Sequence, residues 1–402
     1  MAAPTRRLTQ TEFIALTAMI MAVTAFSIDA MLPALPQIAA ELSPAAPNRV
    51  QLMITSFVFG MGVGTFFTGP LADAIGRRKV IIGGLGLYMA AVVVAYFAQS
   101  LEVMLAARVV MGLGAAGPRV GAIAMTRDLY AGRDMARIMS FIMVVFSLVP
   151  AMAPTIGHYI IAGFGWRGIF AAFAVFAIAV IVWLGTRQPE TLAAAARRPL
   201  KLASVISATQ EMFAHRTARL SIFIQTLTFG MLFTVLSSTQ QVFDQTFGQG
   251  EHFHLWFAAI AVVAATGSML NARIVGRLGM RAIVKGMYTA QIVISSAMIG
   301  ITLLDLPYGV AFGAYVIWVT ANFFQAGLTI GNLNALAMEE MGHIAGLAAS
   351  VIAAVSTVGA VLLAVPAALG FDGTPLPMAV AILAMAVVAL WLTTMIKRPG
   401  EV

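Results

Sequence analysis

The sequence predicts an all-α membrane protein with twelve transmembrane helices. Of its 402 residues, 60% are hydrophobic and only 10% are charged, which is too little polar surface to cover a water-soluble globular protein. Apolar runs of about 20 residues recur along the whole chain, and each is long enough to cross a bilayer core roughly 30 Å thick. The first run is too long for a cleaved signal peptide and contains an aspartate, so we expect it to remain as a membrane span.

We assign one span to each apolar run. The spans cover residues 13–36, 50–72, 80–99, 102–125, 138–163, 167–187, 217–240, 253–275, 284–304, 308–333, 345–369 and 376–396. One long polar and basic connection divides them into two sets of six. We therefore predict an N-terminal six-helix half at 1–187, a cytoplasmic linker or amphipathic surface helix at 188–216, and a C-terminal six-helix half at 217–402.

The positions of Lys and Arg predict the topology. If the N-terminus is cytoplasmic, only Arg49 and Arg167 fall in outer loops, which is the asymmetry expected of a membrane protein. The residues that then fall on the cytoplasmic side are Arg6, Arg7, Arg77, Arg78, Lys79, Arg127, Arg133, Arg137, Arg187, Arg197, Arg198, Lys201, Arg216, Arg219, Arg273, Arg277, Arg281, Lys285, Lys397 and Arg398. Both termini are expected in the cytoplasm, and the net charge of +8 indicates topology and not a nucleic-acid partner.

Several classes of chemistry are excluded or disfavoured. The chain has no cysteine, which excludes disulfides, thiol catalysis and cysteine metal sites. A GxGxxG pattern at Gly112, Gly114 and Gly117 lies inside an apolar span and lacks the strand that a dinucleotide site requires, so these glycines are expected to serve close helix packing. No phosphate-binding loop occurs and the five histidines are scattered. We therefore expect no cofactor, no metal site and no enzymatic activity.

The two sets of spans contain an internal repeat. GPLADAIGRRKV (69–80) follows span 2, and a degraded copy, ARIVGRLGMRAI (272–283), follows span 8. Aligning the two segments matches Gly76 with Gly279 and Arg78 with Arg281. Duplicated halves of this kind are typical of transporter folds that alternate access around a site at the repeat interface.

Four segments together resemble the major facilitator superfamily. The segment 69–80 is similar to the family's loop signature between spans 2 and 3. ARVVMGLGAAGP (107–118) resembles the span-4 signature of proton-coupled members, with Arg108 at its arginine, and PAMAPTIGH (150–158) resembles the span-5 signature of antiporters. IDAMLPALP (28–36) is close to the span-1 signature of twelve-span drug–proton antiporters, nearest the bicyclomycin-resistance branch.

The resemblance implies a function. It implies a monomer in the bacterial cytoplasmic (inner) membrane that expels small, mostly lipophilic drugs in exchange for protons by alternating access, without nucleic acid as a partner. An alternative remains open, in which the same fold carries a specific metabolite such as a sugar or an amino acid. A membrane enzyme would need a cluster of nucleophilic or metal-binding side chains at one depth, and the sequence indicates none.

Asp29 is the candidate proton carrier. It stands in the apolar span 1 without a Lys or Arg beside it in sequence. Spans 1 and 4 run in opposite directions, and both Asp29 and Arg108 are expected about 10 Å below the outer surface at 1.5 Å per residue. Charged groups inside membrane helices usually face an interior pathway and pair there. We predict that Asp29 carries the proton beside Arg108; a static pair of the two is the alternative.

The loop after span 2 is the candidate cytoplasmic gate. Gly69 and Pro70 are expected to end span 2, and Gly76 to permit the reversal into span 3.

Asp73 and Arg77 in that loop are expected to form a partly buried ionic lock, and Arg78 is assigned to the same gate. The alternative is that the basic residues of the loop only set the topology. The predicted partners are Asp128 at the end of span 4 and the N-terminal dipole of span 11. The resemblance implies that this lock favours the outward-facing state. The second copy has Gly276 in place of the aspartate, so the lock is expected on one side only.

Span 5 contains a candidate hinge, or a seal against proton leak. Pro150 and Pro154 interrupt the helical hydrogen bonds, and Gly157 lets a neighbouring helix come close. His158 stands where the family commonly has a second glycine.

The remaining candidates are side chains predicted to contact the substrate. They are Met31, Arg119, Gln225, Thr228, Asn322 and Gln325. The polar members have an alternative role in bonding one helix to another, and Arg119 has one in pairing with acidic residues or lipid headgroups. Met31 stands where the family pattern usually has tyrosine, a difference that bears on the range of substrates.

Overall fold

The computed structural model of the chain describes residues 8–197, 199, 202–304 and 306–396. All regular secondary structure in these residues is helical, and twelve helical segments among them are long and apolar enough to cross a membrane. Six residues of the topology argument lie outside the described residues: Arg6, Arg7, Arg198, Lys201, Lys397 and Arg398. The predicted fold class is confirmed, and the orientation of the termini stays a prediction.

The chain forms two compact units. The first unit comprises Met1–Ser43 with Ser56–Val205, and the second comprises Pro44–Thr55 with Ile206–Val402. The helices up to the end of the sixth span are α1 (Gln10–Asp29), α2 (Leu35–Leu42), α3 (Leu52–Ile75), α4 (Arg77–Tyr96), α5 (Leu101–Leu129), α6 (Gly132–Phe164) and α7 (Arg167–Arg187). Those that follow are α8 (Leu202–Ala214), α9 (Arg216–Gln241), α10 (Phe253–Leu278), α11 (Met280–Leu303), α12 (Tyr308–Met338), α13 (Ala345–Leu369) and α14 (Leu376–Thr394).

The segment Pro44–Thr55 belongs to the second unit because polar side chains hold it there. The Asn48 side chain donates to the carbonyl oxygens of Leu369 at 3.2 Å and Phe371 at 2.8 Å. Ser238 on α9 donates to the Gln51 side chain at 3.0 Å. The division of the chain is therefore not contiguous in sequence, whereas the halves predicted above are.

Span 1 is not the continuous helix that the apolar run 13–36 predicts. The α-helix ends at Asp29 and is followed by a 3₁₀ turn at Leu32–Ala34 and by α2. Proline removes the N–H that would bond four residues back, and its ring clashes with the carbonyl there. Pro33 therefore prevents helical pairing with the carbonyl of Asp29, and Pro36 repeats the effect one turn later.

The expectation that Gly69 and Pro70 end span 2 is wrong. Helix α3 continues through Pro70 to Ile75, and Gly69 lies inside it. An internal proline removes one backbone hydrogen bond, and a long buried helix can lose that bond without ending. The helix ends instead before Gly76, whose φ of 106° is a left-handed conformation that favours glycine.

Glycine contacts bring α5 close to its neighbours. A Cβ on Gly114 would lie 2.6 Å from both the Gly84 carbonyl oxygen and the Tyr88 nitrogen of α4. A Cβ on Gly117 would lie 2.8 Å from the Val80 carbonyl oxygen. The GxGxxG pattern in this span therefore serves close helix packing.

The second unit has an aromatic cluster at the end of α9. A short π-helical turn, Val242–Thr246, continues α9, and Phe243 in this turn contacts the rings of Phe253, Phe312 and Tyr315 at centroid distances of 5.6–5.7 Å. Aromatic edge-to-face contacts of this kind stabilise a core beyond simple burial. The cluster fixes α9 against α10 and α12.

We predict that Gly114→Ala destabilises the protein by about 1–3 kcal/mol, because the added methyl group meets backbone atoms that cannot move aside. The matched control is Gly86→Ala on α4, where an added Cβ has open space and alanine favours the helix. Thermal unfolding of both variants in detergent, followed by tryptophan fluorescence, measures the difference. Equal melting temperatures would contradict the packing described above.

Candidate functional site

Asp29 is the last residue of α1 and is buried, with 5% of its surface exposed. Among the residues that the structure describes, Asp29 forms no ion pair within 4.0 Å. A buried carboxyl held this way carries a high desolvation cost when it is ionised. Its protonation is therefore sensitive to any change in its surroundings.

Arg108 lies on α5 and is fully buried. Its Nη2 donates to the backbone carbonyl oxygen of Ser27 at 3.1 Å, and its guanidinium carbon lies 4.5 Å from the ring centroid of Phe57. The last carbonyls of a helix have no partner within the helix and carry partial negative charge. Arg108 therefore caps the end of α1, two residues before Asp29.

Ser27 also fixes α1 through its side chain. Its hydroxyl donates to the carbonyl oxygen of Val23 at 2.6 Å and lies 2.5 Å from the hydroxyl oxygen of Tyr88 on α4. Because the Ser27 hydrogen is used for Val23, the Tyr88 hydroxyl is the donor of the second bond. Ser27 thus connects α1 to α5 through its backbone and to α4 through its side chain.

The predicted hinge in span 5 contacts the same region. Pro150 and Pro154 lie inside α6, which runs uninterrupted through both. Gly157 faces the carbonyl of Ala30, and a Cβ there would collide with it. The break after Asp29 therefore packs against α6 at Gly157, the glycine of the segment 150–158.

The ion pairs predicted around Arg77 are present in the first unit. The Nη1 of Arg77 lies 2.5 Å from the Oδ1 of Asp73, and its Nε lies 3.1 Å from the Oδ2 of Asp128. The Arg77 side chain is 10% exposed. Arg78 takes a different role, because its guanidinium donates to the carbonyl oxygen of Gly185 on α7. The lock therefore joins α3, α4 and α5, while the predicted partner on span 11 stays a prediction.

Sequence reasoning missed Glu190. The two oxygens of its carboxylate accept hydrogen bonds from the backbone nitrogens of Arg77 at 2.9 Å and Arg78 at 3.1 Å. Thr191 donates to Asp128 Oδ2 at 2.8 Å. Helix α4 begins after Gly76, which has no side chain to cap the free N–H groups of its first turn. That missing cap is the signal that could have prompted a search for an acidic residue elsewhere.

The second copy of this loop is simpler. Gly279 has a φ of 77° and separates α10 from α11, as Gly76 separates α3 from α4. Arg281 pairs with Glu339 at 3.1 Å, and these side chains are 25% and 37% exposed. The second unit therefore has a single, more exposed ion pair where the first has a buried arginine between two carboxylates.

Three predicted substrate contacts in the second unit are buried amides. Gln225 lies on α9, and Asn322 and Gln325 lie on one face of α12. Within the part of the chain that the structure describes, Gln225 Oε1, Asn322 Nδ2 and Gln325 Nε2 have no hydrogen-bond partner. Buried amide atoms usually have partners, so these three can accept from or donate to a ligand.

The other predicted contacts are engaged within the protein. Thr228 donates to the carbonyl oxygen of Ile224 at 3.0 Å and lies 2.6 Å from the hydroxyl oxygen of Tyr288. Met31 is fully buried beside the break in span 1. The Nη1 of Arg119 lies 3.6 Å from the sulfur of Met61.

Comparison with known proteins agrees with this architecture. The family model described as Major Facilitator Superfamily matches residues 17–364. The chain is 29% identical to a bicyclomycin resistance protein homolog of Haemophilus influenzae, over 88% of each chain. It is also 29% identical to the multidrug resistance protein MdtL of Escherichia coli, over 71% of this chain and 75% of the other.

A crystal structure of a D-xylose-proton symporter has the same fold. Its TM-score is 0.80 at 14% identity, and the match covers 96% of this chain and 98% of the symporter. The twelve candidate spans, the repeated loop and the family match along most of the sequence lead to one conclusion. The chain belongs to the Major Facilitator Superfamily and is a multi-pass membrane transporter.

Proposed function

We propose that this chain is a proton-coupled efflux antiporter of small, mostly lipophilic compounds in the bacterial inner membrane. In this proposal it acts as a monomer with both termini in the cytoplasm. The observation that carries the proposal is Asp29, a buried carboxyl at the end of a broken helix whose last turn is capped by Arg108. Intramembrane ionisable groups of this kind mark ion and substrate pathways.

The coupling follows from the position of the carboxyl. Neutral Asp29 is compatible with its apolar surroundings, whereas ionised Asp29 needs water, a cation or a bound substrate. A proton from the outside therefore competes with substrate for the carboxyl. Release of that proton to the cytoplasm restores the ionised form and permits the next substrate to bind. Each cycle exchanges substrate for protons without any covalent step.

The lock around Arg77 is proposed to hold the first unit's cytoplasmic loop in the outward-facing state. Arg77 bridges carboxylates from α3 and α5, and Glu190 holds the start of α4 in place. Separating these elements requires the buried guanidinium to lose its partners, and this cost favours the locked arrangement. The lock is therefore proposed to stabilise the outward-facing state, which the transport cycle has to populate.

Two similar proteins support drugs as the substrate class. One is named as a bicyclomycin resistance homolog and the other as a multidrug resistance protein. The amide atoms on α9 and α12 that have no hydrogen-bond partner among the described residues support a site that recognises compounds with a few polar groups within a mainly apolar surface.

We predict that Asp29→Asn abolishes resistance to lipophilic drugs while the protein still reaches the membrane, because asparagine cannot exchange a proton. Susceptibility and dye accumulation in an efflux-deficient bacterium, compared with empty vector, measure the effect. The matched control is Asp244→Asn in the π-helical turn after α9, which is expected to protect like wild type.

Three results would be informative. Protection by Asp29→Asn equal to wild type would show that Asp29 is structural. If Asp244→Asn lost as much drug protection as Asp29→Asn, the effect would not be specific to the coupling carboxyl. If wild type protects against no drug, a panel of labelled sugars and amino acids tests the metabolite alternative.

We predict that Arg77→Gln lowers the rate of substrate–proton exchange about five- to thirtyfold, the effect of losing 1–2 kcal/mol from one conformational state. Initial rates in inside-out vesicles measure the loss. Arg281→Gln, the matched change in the second copy of the loop, is expected to cost less because its single ion pair is more exposed. Equal losses in both variants would count against a lock specific to the first unit.

We predict that Gln325→Leu changes the range of expelled compounds, because it removes an amide donor that has no partner within the described protein. Resistance to compounds that accept this hydrogen bond should fall about fivefold, while resistance to others stays constant. The control is Gln291→Leu on α11, whose amide already donates to Ser295 at 3.1 Å. A uniform loss across all compounds in Gln325→Leu would argue for a structural role.

A further inference from the structure

A buried pair of hydroxyl groups occurs once in each unit. In the first unit the Ser27 and Tyr88 hydroxyl oxygens lie 2.5 Å apart and join α1 to α4. In the second unit the Thr228 and Tyr288 hydroxyl oxygens lie 2.6 Å apart and join α9 to α11. The partners are 61 residues apart in one unit and 60 in the other. Each unit therefore has a contact of this kind at nearly the same sequence spacing, which we call the hydroxyl pair.

The two hydroxyl pairs have the same local chemistry. The Ser27 hydroxyl donates to the carbonyl four residues back at 2.6 Å, and the Thr228 hydroxyl does the same at 3.0 Å. Both tyrosines are fully buried. In each unit the tyrosine hydroxyl is consequently the donor of the bond between the helices, so replacing it by phenylalanine removes the same interaction from each.

Their surroundings differ in charge. The carbonyl of Ser27 accepts a hydrogen bond from Arg108 at 3.1 Å, and Asp29 follows two residues later. Thr228 lies in an uninterrupted part of α9. Only the first pair is therefore next to the groups that the proposed function assigns to coupling.

Tyr88 is itself held rigidly. Its backbone nitrogen lies so close to Gly114 that a Cβ there would come within 2.6 Å of it. A fixed Tyr88 sets the position and rotamer of Ser27, and thereby the direction of the Ser27 carbonyl that Arg108 caps. Because α1 ends at Asp29, two residues after Ser27, no further α-helical turn of α1 follows to fix the backbone of Asp29.

We propose that Tyr88 is a positioning residue for Asp29, acting through Ser27. The proposal rests on the proposed function of Asp29 as proton carrier and deepens it. Tyr88 does not touch the proton. It keeps the last turn of α1 in the orientation that sets the position of the Asp29 carboxyl relative to the Arg108 guanidinium.

Other groups also lie around the end of α1. Helix α6 contributes Gly157, which packs on Ala30, and His158 comes next in sequence. Helix α7 contributes Phe173, whose ring lies 5.5 Å from that of Phe26. A change in the titration of Asp29 can therefore also be transmitted by His158, and the experiment includes His158→Asn to separate the two.

The test measures Asp29 directly and does not require transport. Dicyclohexylcarbodiimide reacts with protonated carboxyl groups in apolar surroundings, and mass spectrometry of the peptide that contains Asp29 gives its labelled fraction at each pH. Asp29→Asn supplies the blank. We expect Tyr88→Phe to shift the midpoint of labelling by at least about 0.5 pH unit, a threefold change in the protonation equilibrium. Tyr288→Phe is expected to leave it unchanged, although it loses the same buried hydrogen bond.

The outcomes separate a positioning role from simple destabilisation. A midpoint that is the same in Tyr88→Phe and wild type overturns the proposal, as does an equal shift in Tyr288→Phe. The proposal is also overturned if His158→Asn shifts the labelling midpoint and Tyr88→Phe has no further effect in that variant. The change in Asp29 titration would then come from α6. If wild type labels at Asp29 but exchanges no drug for protons, the proposed function fails while the labelling result still decides the role of Tyr88.

Variants of Ser27 keep the test decisive if Tyr88→Phe folds poorly. Ser27→Ala removes the partner hydroxyl and should shift the midpoint as Tyr88→Phe does, whereas Ser27→Thr retains a hydroxyl and should restore the wild-type midpoint. The double variant Ser27→Ala with Tyr88→Phe should shift no further than either single change, because both remove one interaction. Additive shifts would overturn the proposed route through Ser27.

Discussion

A helix that ends within a membrane span has to satisfy its last carbonyl groups with donors from the protein, and α1 ends in this way at Asp29. Pro33 has no N–H to donate to the carbonyl of Asp29, and Arg108 supplies a donor at Ser27. The proline, the buried arginine and the aspartate are therefore parts of one arrangement. Without the arginine, the break would leave partial negative charge beside a carboxyl in an apolar environment.

The fold and the loop residues Asp73 and Arg77 of the first unit's lock followed from patterns that act over short distances. Apolar runs of membrane length predicted the spans, and Gly76 with Arg77 predicted a turn followed by a charged contact. Asp29 and Arg108 stood out because an ionisable residue in an apolar run requires an explanation. Each of these signals lies within a few residues, so it can be recognised without knowing which helices touch.

The remaining features depend on contacts between distant parts of the chain. Glu190 lies far along the sequence from the helix it caps, and Tyr88 looks like any aromatic residue in an apolar span. The similar contact between Thr228 and Tyr288 in the second unit becomes visible only in the structure. Pro70 led to a wrong prediction of the end of span 2. Proline disfavours a helix locally, but the packing of the long helix α3 maintains the helix through it.

The contact of Glu190 with the start of α4 affects how the two halves of the chain can be separated. The residues after α7 look like the beginning of a linker, yet Glu190 and Thr191 bind Arg77, Arg78 and Asp128 of the first unit. If the two halves are made as separate polypeptides, a cut directly after α7 removes Glu190 from the N-terminal polypeptide. The first turn of α4 then has no cap. A cut beyond Leu192 keeps that loop complete within a single polypeptide.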